Sequence, residues 1–129
     1  MVRKVKIGII QSKISNNTQS NIILAIKSIK KAASKKAKII CVPELFLSTY
    51  FCQTESHSNF KLAEKIPGRI TKIFSDLAKE LGVILILSLF EKKTSGFYHN
   101  TSIVINEVGK ILTKYRKMHI PDDPGYYEK

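Results

Sequence analysis

Apolar and polar positions along this chain alternate between two periods. Residues 4–11 (KVKIGIIQ) form a short apolar run with β-branched residues, the pattern of a strand. The polar stretch 15–20 offers several helix caps. From Asn21 onward, Ile22, Ile26, Ile29 and Ala33 recur at helical spacing with lysines opposite, predicting an amphipathic helix. Residues 38–42 (KIICV) predict a second buried strand, stopped by Pro43. A loop-rich region follows from 45 to about 58, with a short helix over 59–64. After Pro67-Gly68, the apolar residues Ile70, Ile73, Phe74, Leu77, Ala78 and Leu81 lie on one helical face, and Gly82 stands where a left-handed cap is wanted. Residues 83–90 (VILILSLF) are apolar on both faces and predict a strand covered on both sides. Residues 97–106 and 111–116 flank Glu107-Val108-Gly109-Lys110, a hairpin signature in which Gly109 can take a positive φ. The order β-α-β-loop-α-β-β-β predicts an α/β fold: parallel crossovers first, then a hairpin that makes the sheet mixed. Residues 117–129 (KMHIPDDPGYYEK) read as a Pro- and aromatic-rich loop with no element after it, an apparent interruption.

Composition narrows the function classes. At 129 residues, 43% hydrophobic and 25% charged, the chain fits one globular domain. Cys41 and Cys52 are too few for a disulfide framework or a four-thiolate metal site. The longest apolar run, 83–90, is far short of the roughly 20 residues that span a bilayer. The opening MVRKVKIGII lacks the apolar region of a signal peptide. The expectation is a soluble protein of the cytoplasm, with no membrane partner. The net charge of +12 is concentrated early, with ten Lys and Arg and no acid before Glu44. Yet no aromatic residue precedes Phe46 to stack on bases, and only three of the 22 cations are Arg. With 19 Ile also present, the lysines read as a solvated helix face shaped by overall composition. A basic nucleic-acid-binding module is the weakest of the readings.

Few residues can carry chemistry. Glu44 follows a strand and a proline at the carboxyl end of an open sheet, where ligands collect. Set against Cys41, Val42, Leu45 and Phe46, its carboxylate would be partly desolvated and raised toward a general-base value. From position alone, a capping or ion-paired glutamate fits somewhat better. Lys117 closes a strand and could hold a charge that stabilises an oxyanion, although one lysine among 19 is by default a surface residue. Glu128 is a third carboxylate, unexceptional by itself. His57, His99 and His119 lack metal-ligand spacing, and His99 within a strand reads as a satisfied, packed residue. Cys41 reads as an inert core thiol. Cys52 is expected to be the more accessible, without a neighbour that would activate it.

Three segments in order, Pro43-Glu44-Leu45-Phe46, Tyr98-His99-Asn100-Thr101 and Lys114-Tyr115-Arg116-Lys117, resemble the nitrilase superfamily of carbon–nitrogen hydrolases. Longer matches (PELFLSTYFCQ, AEKIPG, GFYHNTSIVI and YRKMHIPDDPGYYEK) resemble one branch of it, which cleaves N-carbamoyl amines. The resemblance runs from Val5 to Lys129. It implies a four-layer α-β-β-α sandwich of which residues 1–129 form the N-terminal half, a partial domain truncated before the catalytic cysteine. It further implies Glu44 as general base, Lys117 as the oxyanion-stabilising lysine and Glu128 as a supporting carboxylate. The nucleophilic cysteine, which the family places some dozens of residues beyond that lysine, is then absent. No cofactor or metal is implied.

The leading expectation is therefore a truncated amidohydrolase, inactive alone, whose substrate when completed is a small carbamoyl amine or amide. A homo-oligomer or a complementing C-terminal polypeptide would cover its sheet. The alternative of another class is a non-catalytic half-fold that pairs with full-length subunits.

Overall fold

The computed structural model describes residues 4–128. Met1 to Arg3, which begin the basic stretch and the opening that lacks a signal-peptide pattern, lie outside it, as does Lys129, the end of the predicted terminal loop. The elements are β1 (Ile7–Ile9), α1 (Thr18–Ser34), β2 (Ile39–Cys41), α2 (Arg69–Leu81), β3 (Ile84–Thr94), β4 (Phe97–Ile105), β5 (Ile111–Arg116), β6 (Asp122–Asp123) and β7 (Tyr126–Tyr127). Strands β1 to β5 form one sheet in chain order, with β1, β2 and β3 parallel and β3, β4 and β5 antiparallel. This is the expected mixed α/β sheet.

Local chemistry sets the helix ends. α1 begins at Thr18, ahead of the apolar repeat. The Asn17 side chain accepts the Ser20 N–H at 2.8 Å, and the polar first turn faces outward, where periodicity is silent. α2 starts after Gly68, whose N–H donates to the Thr71 hydroxyl at 2.7 Å, and stops at Gly82 with φ 60°.

Both helices pack on the same face of the sheet. Ile22 and Ile29 of α1 and Ile70 and Phe74 of α2 meet Ile40, Leu85, Leu87, Ile103 and Ile105 in a single core. The result is one helical layer on one sheet, the α-β half of the four-layer arrangement. The expectation that 83–90 is covered on both sides is corrected. Leu85, Leu87 and Leu89 are fully buried, whereas Ile84, Ile86, Ser88 and Phe90, which point the other way, are half-buried. Neither α1 nor α2 lies on that second face, where Phe90 meets Phe51 and Phe60 of two short 3-10 turns. Along it the edge strand β1 leaves Ile7 and Ile9 61% and 84% exposed.

Three further differences bear on the site. β3 runs on to Thr94, because Glu91 continues the inward alternation and is neutralised there rather than ending the strand. The short helix expected over 59–64 is a 3-10 turn at His57–Leu62, and Glu64 lies alongside β3, bonded to Phe90 and Lys92. The terminal loop contains a small hairpin, β6–β7, with Gly125 at φ 82° in its turn. Among the described residues no helix is long and apolar enough to cross a membrane.

Candidate active site

Three residues singled out in sequence, Glu44, Lys117 and Glu128, converge at one end of the sheet. Glu44 follows the carboxyl end of β2, and Lys117 follows the end of β5. Asn100 lies on β4 opposite Phe90, and the Lys117 N–H donates to the Asn100 carbonyl at 2.8 Å. The β6–β7 hairpin then turns the chain back and delivers Glu128. The Lys117 ammonium sits 2.9 Å from Glu128 Oε2 and 3.3 Å from Glu44 Oε1.

Glu44 is aimed by the turn after it. Leu45 takes φ 49°, a left-handed conformation uncommon for a non-glycine residue, and its N–H donates to Ser88 Oγ at 3.0 Å. Leu45, Phe46 and Leu47 are buried, with Phe46 edge-on to Phe74 at 5.3 Å. Buried Asn21 on α1 donates to the Leu47 carbonyl at 3.0 Å. The apolar side chains anchor the loop while Glu44 turns outward. Its side chain is 53% exposed, so the expected desolvation by Cys41, Val42, Leu45 and Phe46 is absent from this chain.

Glu128 is in the opposite condition, its side chain 5% exposed. Tyr50 OH donates to Oε1 at 2.8 Å, while Lys117 and Asn100 Nδ2 donate to Oε2 at 2.9 and 3.2 Å. Burial pushes its carboxyl up, but these donors outweigh burial and hold it below the usual carboxylate range. Lys117 is held protonated in turn, raised chiefly by its bond to Glu128. Burial and the bond to Glu128 together push the Tyr50 phenol well above its ordinary value. The cluster presents a fixed cation between two carboxylates, one sealed and one open to solvent.

The Cys52 thiol is not poised to attack. The expectation that Cys52 is the more accessible is corrected: it is buried in a 3-10 turn, while Cys41 on β2 is half-buried. Burial first, then the charges of Glu128 and Glu44, push the Cys52 thiol up to about 11. His99 also departs from expectation. It packs into the sheet, but Nε2 is buried without a hydrogen-bond partner, and burial beside Arg116 holds the ring below its usual pKa.

Two features had no counterpart in the sequence pattern as read. Buried Glu91 accepts from Arg116 Nε at 2.8 Å, Lys114 Nζ at 2.7 Å and Thr101 Oγ1 at 2.7 Å, and Arg116 foremost lowers its carboxyl to about 2. The signal was available: Glu91 continues the inward series Leu85, Leu87, Leu89, and Lys114 and Arg116 alternate on the facing side of β5. The second is a cleft of about 650 Å³ walled by Cys52, Phe90, Tyr98, Tyr127, Asn100 and Glu128. The last two belong also to the carboxylate–lysine cluster. Stacking of Phe60 on Tyr98 at 4.4 Å makes one side of the cleft aromatic.

Known proteins are similar to this chain in sequence and in fold. The profile of the family described as carbon-nitrogen hydrolase matches residues 6–129. N-carbamoylputrescine amidase of Solanum lycopersicum is 38% identical over 98% of this chain, which covers 42% of that protein. Citrullinase of Francisella tularensis is 36% identical over 97%, with 44% covered. A crystal structure of a carbon-nitrogen hydrolase from Helicobacter pylori superposes with a TM-score of 0.91 at 38% identity, over 96% of this chain and 43% of that one. The chain thus spans under half the length of the relatives it matches.

Proposed function

Since the chain belongs to the carbon–nitrogen hydrolase family, we propose that it forms the glutamate–lysine part of an amidohydrolase that cleaves N-carbamoylputrescine to putrescine, carbon dioxide and ammonia, a step of polyamine biosynthesis. The observation that carries the reading is the Lys117 ammonium held between Glu44 and Glu128. In this reading the attacking thiol comes from a further polypeptide: Cys52 is buried with its pKa raised, and Cys41 is held within β2 with its Sγ 3.5 Å from the Val42 carbonyl.

In this reading Glu44 takes the proton of that thiol, and the sulfur attacks the carbamoyl carbon. The carbonyl oxygen becomes an oxyanion facing the Lys117 ammonium and a backbone N–H. The C–NH₂ bond breaks, ammonia leaves with the proton from Glu44, and a carbamoyl thioester remains. Water, deprotonated by Glu44, cleaves the thioester. The thiol is restored, and the released carbamic acid breaks down to carbon dioxide and putrescine. Glu128 anchors Lys117 and stays ionised throughout.

The same polypeptide would cover the open sheet face and exclude water from Glu44. N-carbamoylputrescine and citrulline share a terminal ureido group, so the two relatives point to one type of scissile bond.

Ammonia release tests the reading, measured with N-carbamoylputrescine, citrulline and a simple ω-amide. The chain alone is expected to release none. Co-expressed with a polypeptide supplying the remaining strands and cysteine, it is expected to act fastest on N-carbamoylputrescine. Glu44→Gln and Lys117→Met should each lower that rate by about 100-fold or more. Turnover by the isolated chain, or none by the completed enzyme on any of the three, overturns the reading.

A further inference from the structure

Asn100 makes more contacts within the cluster than its place in a strand requires. Its Nδ2 donates to Glu44 Oε1 at 2.7 Å and to Glu128 Oε2 at 3.2 Å, so one amide group bridges the two carboxylates. With an acceptor on each, the nitrogen rather than the oxygen must face them, which fixes the orientation of the amide. Its backbone carbonyl meanwhile takes the Lys117 N–H. β4 therefore ties all three members of the cluster to one residue.

The two oxygens of Glu44 are consequently not equivalent. Oε1 receives both Asn100 Nδ2 and the Lys117 ammonium. Oε2 receives no hydrogen bond among the described residues. An oxygen already accepting from two donors is the poorer proton acceptor, because protonation would break both contacts. We propose that Asn100 is a positioning residue that holds Glu44 by Oε1 and thereby reserves Oε2 as the oxygen that takes and returns the proton. The inference rests on the amidohydrolase reading for the identity of that proton transfer. The hydrogen-bond arrangement is independent of it.

The hydrogen bonds imply a difference between isosteric variants. Asn100→Asp keeps the shape of the side chain but replaces the donor with a third carboxylate between two others. Asn100→Ala removes the donor without adding charge. If Asn100 served only to fill space, the aspartate would be the milder change. As a donor, it is expected to be the more harmful.

Two measurements test this. In the completed enzyme, Asn100→Ala is expected to lower kcat about 10- to 100-fold with KM changed less than about 3-fold, and Asn100→Asp is expected to lower kcat further, with an altered acid limb in its pH–rate profile. Either variant keeping kcat within twofold overturns the proposal, as does an aspartate variant faster than the alanine variant. In the 129-residue chain, the side-chain amide protons of Asn100, followed by ¹H–¹⁵N NMR, should lie downfield and move upfield separately in Glu44→Ala and Glu128→Ala. Amide signals indifferent to both substitutions overturn the positioning role. If these signals respond as expected while the completed enzyme is inactive on every substrate, it is the amidohydrolase reading that fails.

Discussion

Glu91 illustrates how one residue can fix three strands. It is 1% exposed on β3, yet it stays ionised because Arg116 and Lys114 of β5 and Thr101 of β4 all donate to it. Removing one partner of such a buried group leaves the others uncompensated, which is more harmful than never having buried them. The folded carboxyl titrates at about 2 against an ordinary value of 4.5, so the folded state binds its proton less readily than the unfolded chain. This contribution is complete above about pH 4.5 and fades as pH falls through the window toward 2. A difference of that size corresponds to roughly 3 kcal/mol. Urea unfolding of the chain and of Glu91→Gln, compared at pH 7 and at pH 2.5, should show the native chain ahead by about 2–3 kcal/mol at neutrality and by much less in acid. A gap that is equal at both values would mean that the ion cluster contributes nothing specific.

At the scale of elements, the β4–β5 turn is pinned rather than merely tight. Gly109 has φ 82°, and a Cβ there would lie 2.7 Å from the Ser75 carbonyl oxygen of α2. Strain and collision act together, so Gly109→Ala should destabilise the fold by on the order of 2 kcal/mol. Gly109→Asn should do no better, although asparagine tolerates the left-handed region. At Gly125, with the same φ of 82° but nothing within 4 Å of where a Cβ would stand, Asn should be accepted within about 1 kcal/mol. Chemical denaturation of the three variants checks the contrast. The positive φ of Gly109 was legible from the hairpin pattern, but its contact with α2 was not, because it joins elements far apart in sequence. The same limit explains the site. Each of Glu44, Lys117 and Glu128 sits at a strand end or just past one, and the family motifs flagged all three. Their meeting depends on the β6–β7 hairpin, whose two-residue strands are too short to show a period. Asn100 was in plain view within Tyr98-His99-Asn100-Thr101, but its role needed the fold. The outward turn of Glu44 follows from the burial of Leu45 to Leu47, which an apolar neighbourhood read along the chain had suggested would desolvate it instead.

For the whole molecule, an apolar sheet face competes with a large net charge. Ile7 and Ile9 are well exposed, and Ile39, Ile84, Ile86 and Val104 continue the same face inward from the edge. Contiguous apolar surface of this kind drives association; under the proposed function its cover is the complementing polypeptide, and in the isolated chain a second copy can take that place. Against self-association stands +12 on each copy. That repulsion reaches about 30 Å at 0.01 M salt but only about 8 Å at 0.15 M. Adding salt removes the repulsion and leaves apolar attraction intact, so the isolated chain should shift from monomer toward larger species as ionic strength rises. Binding to a nucleic acid would respond the other way, since released counterions make such affinity fall steeply with salt. Sedimentation velocity across that range, with and without a DNA duplex, distinguishes the two. The paired substitution Ile7→Lys and Ile9→Lys should abolish salt-promoted association while changing unfolding stability by no more than about 0.5 kcal/mol for each exposed residue. A variant that still associates would place the contact elsewhere than this face. Complex formation with DNA that survives at about 0.15 M salt would instead make the lysines of α1 a binding surface.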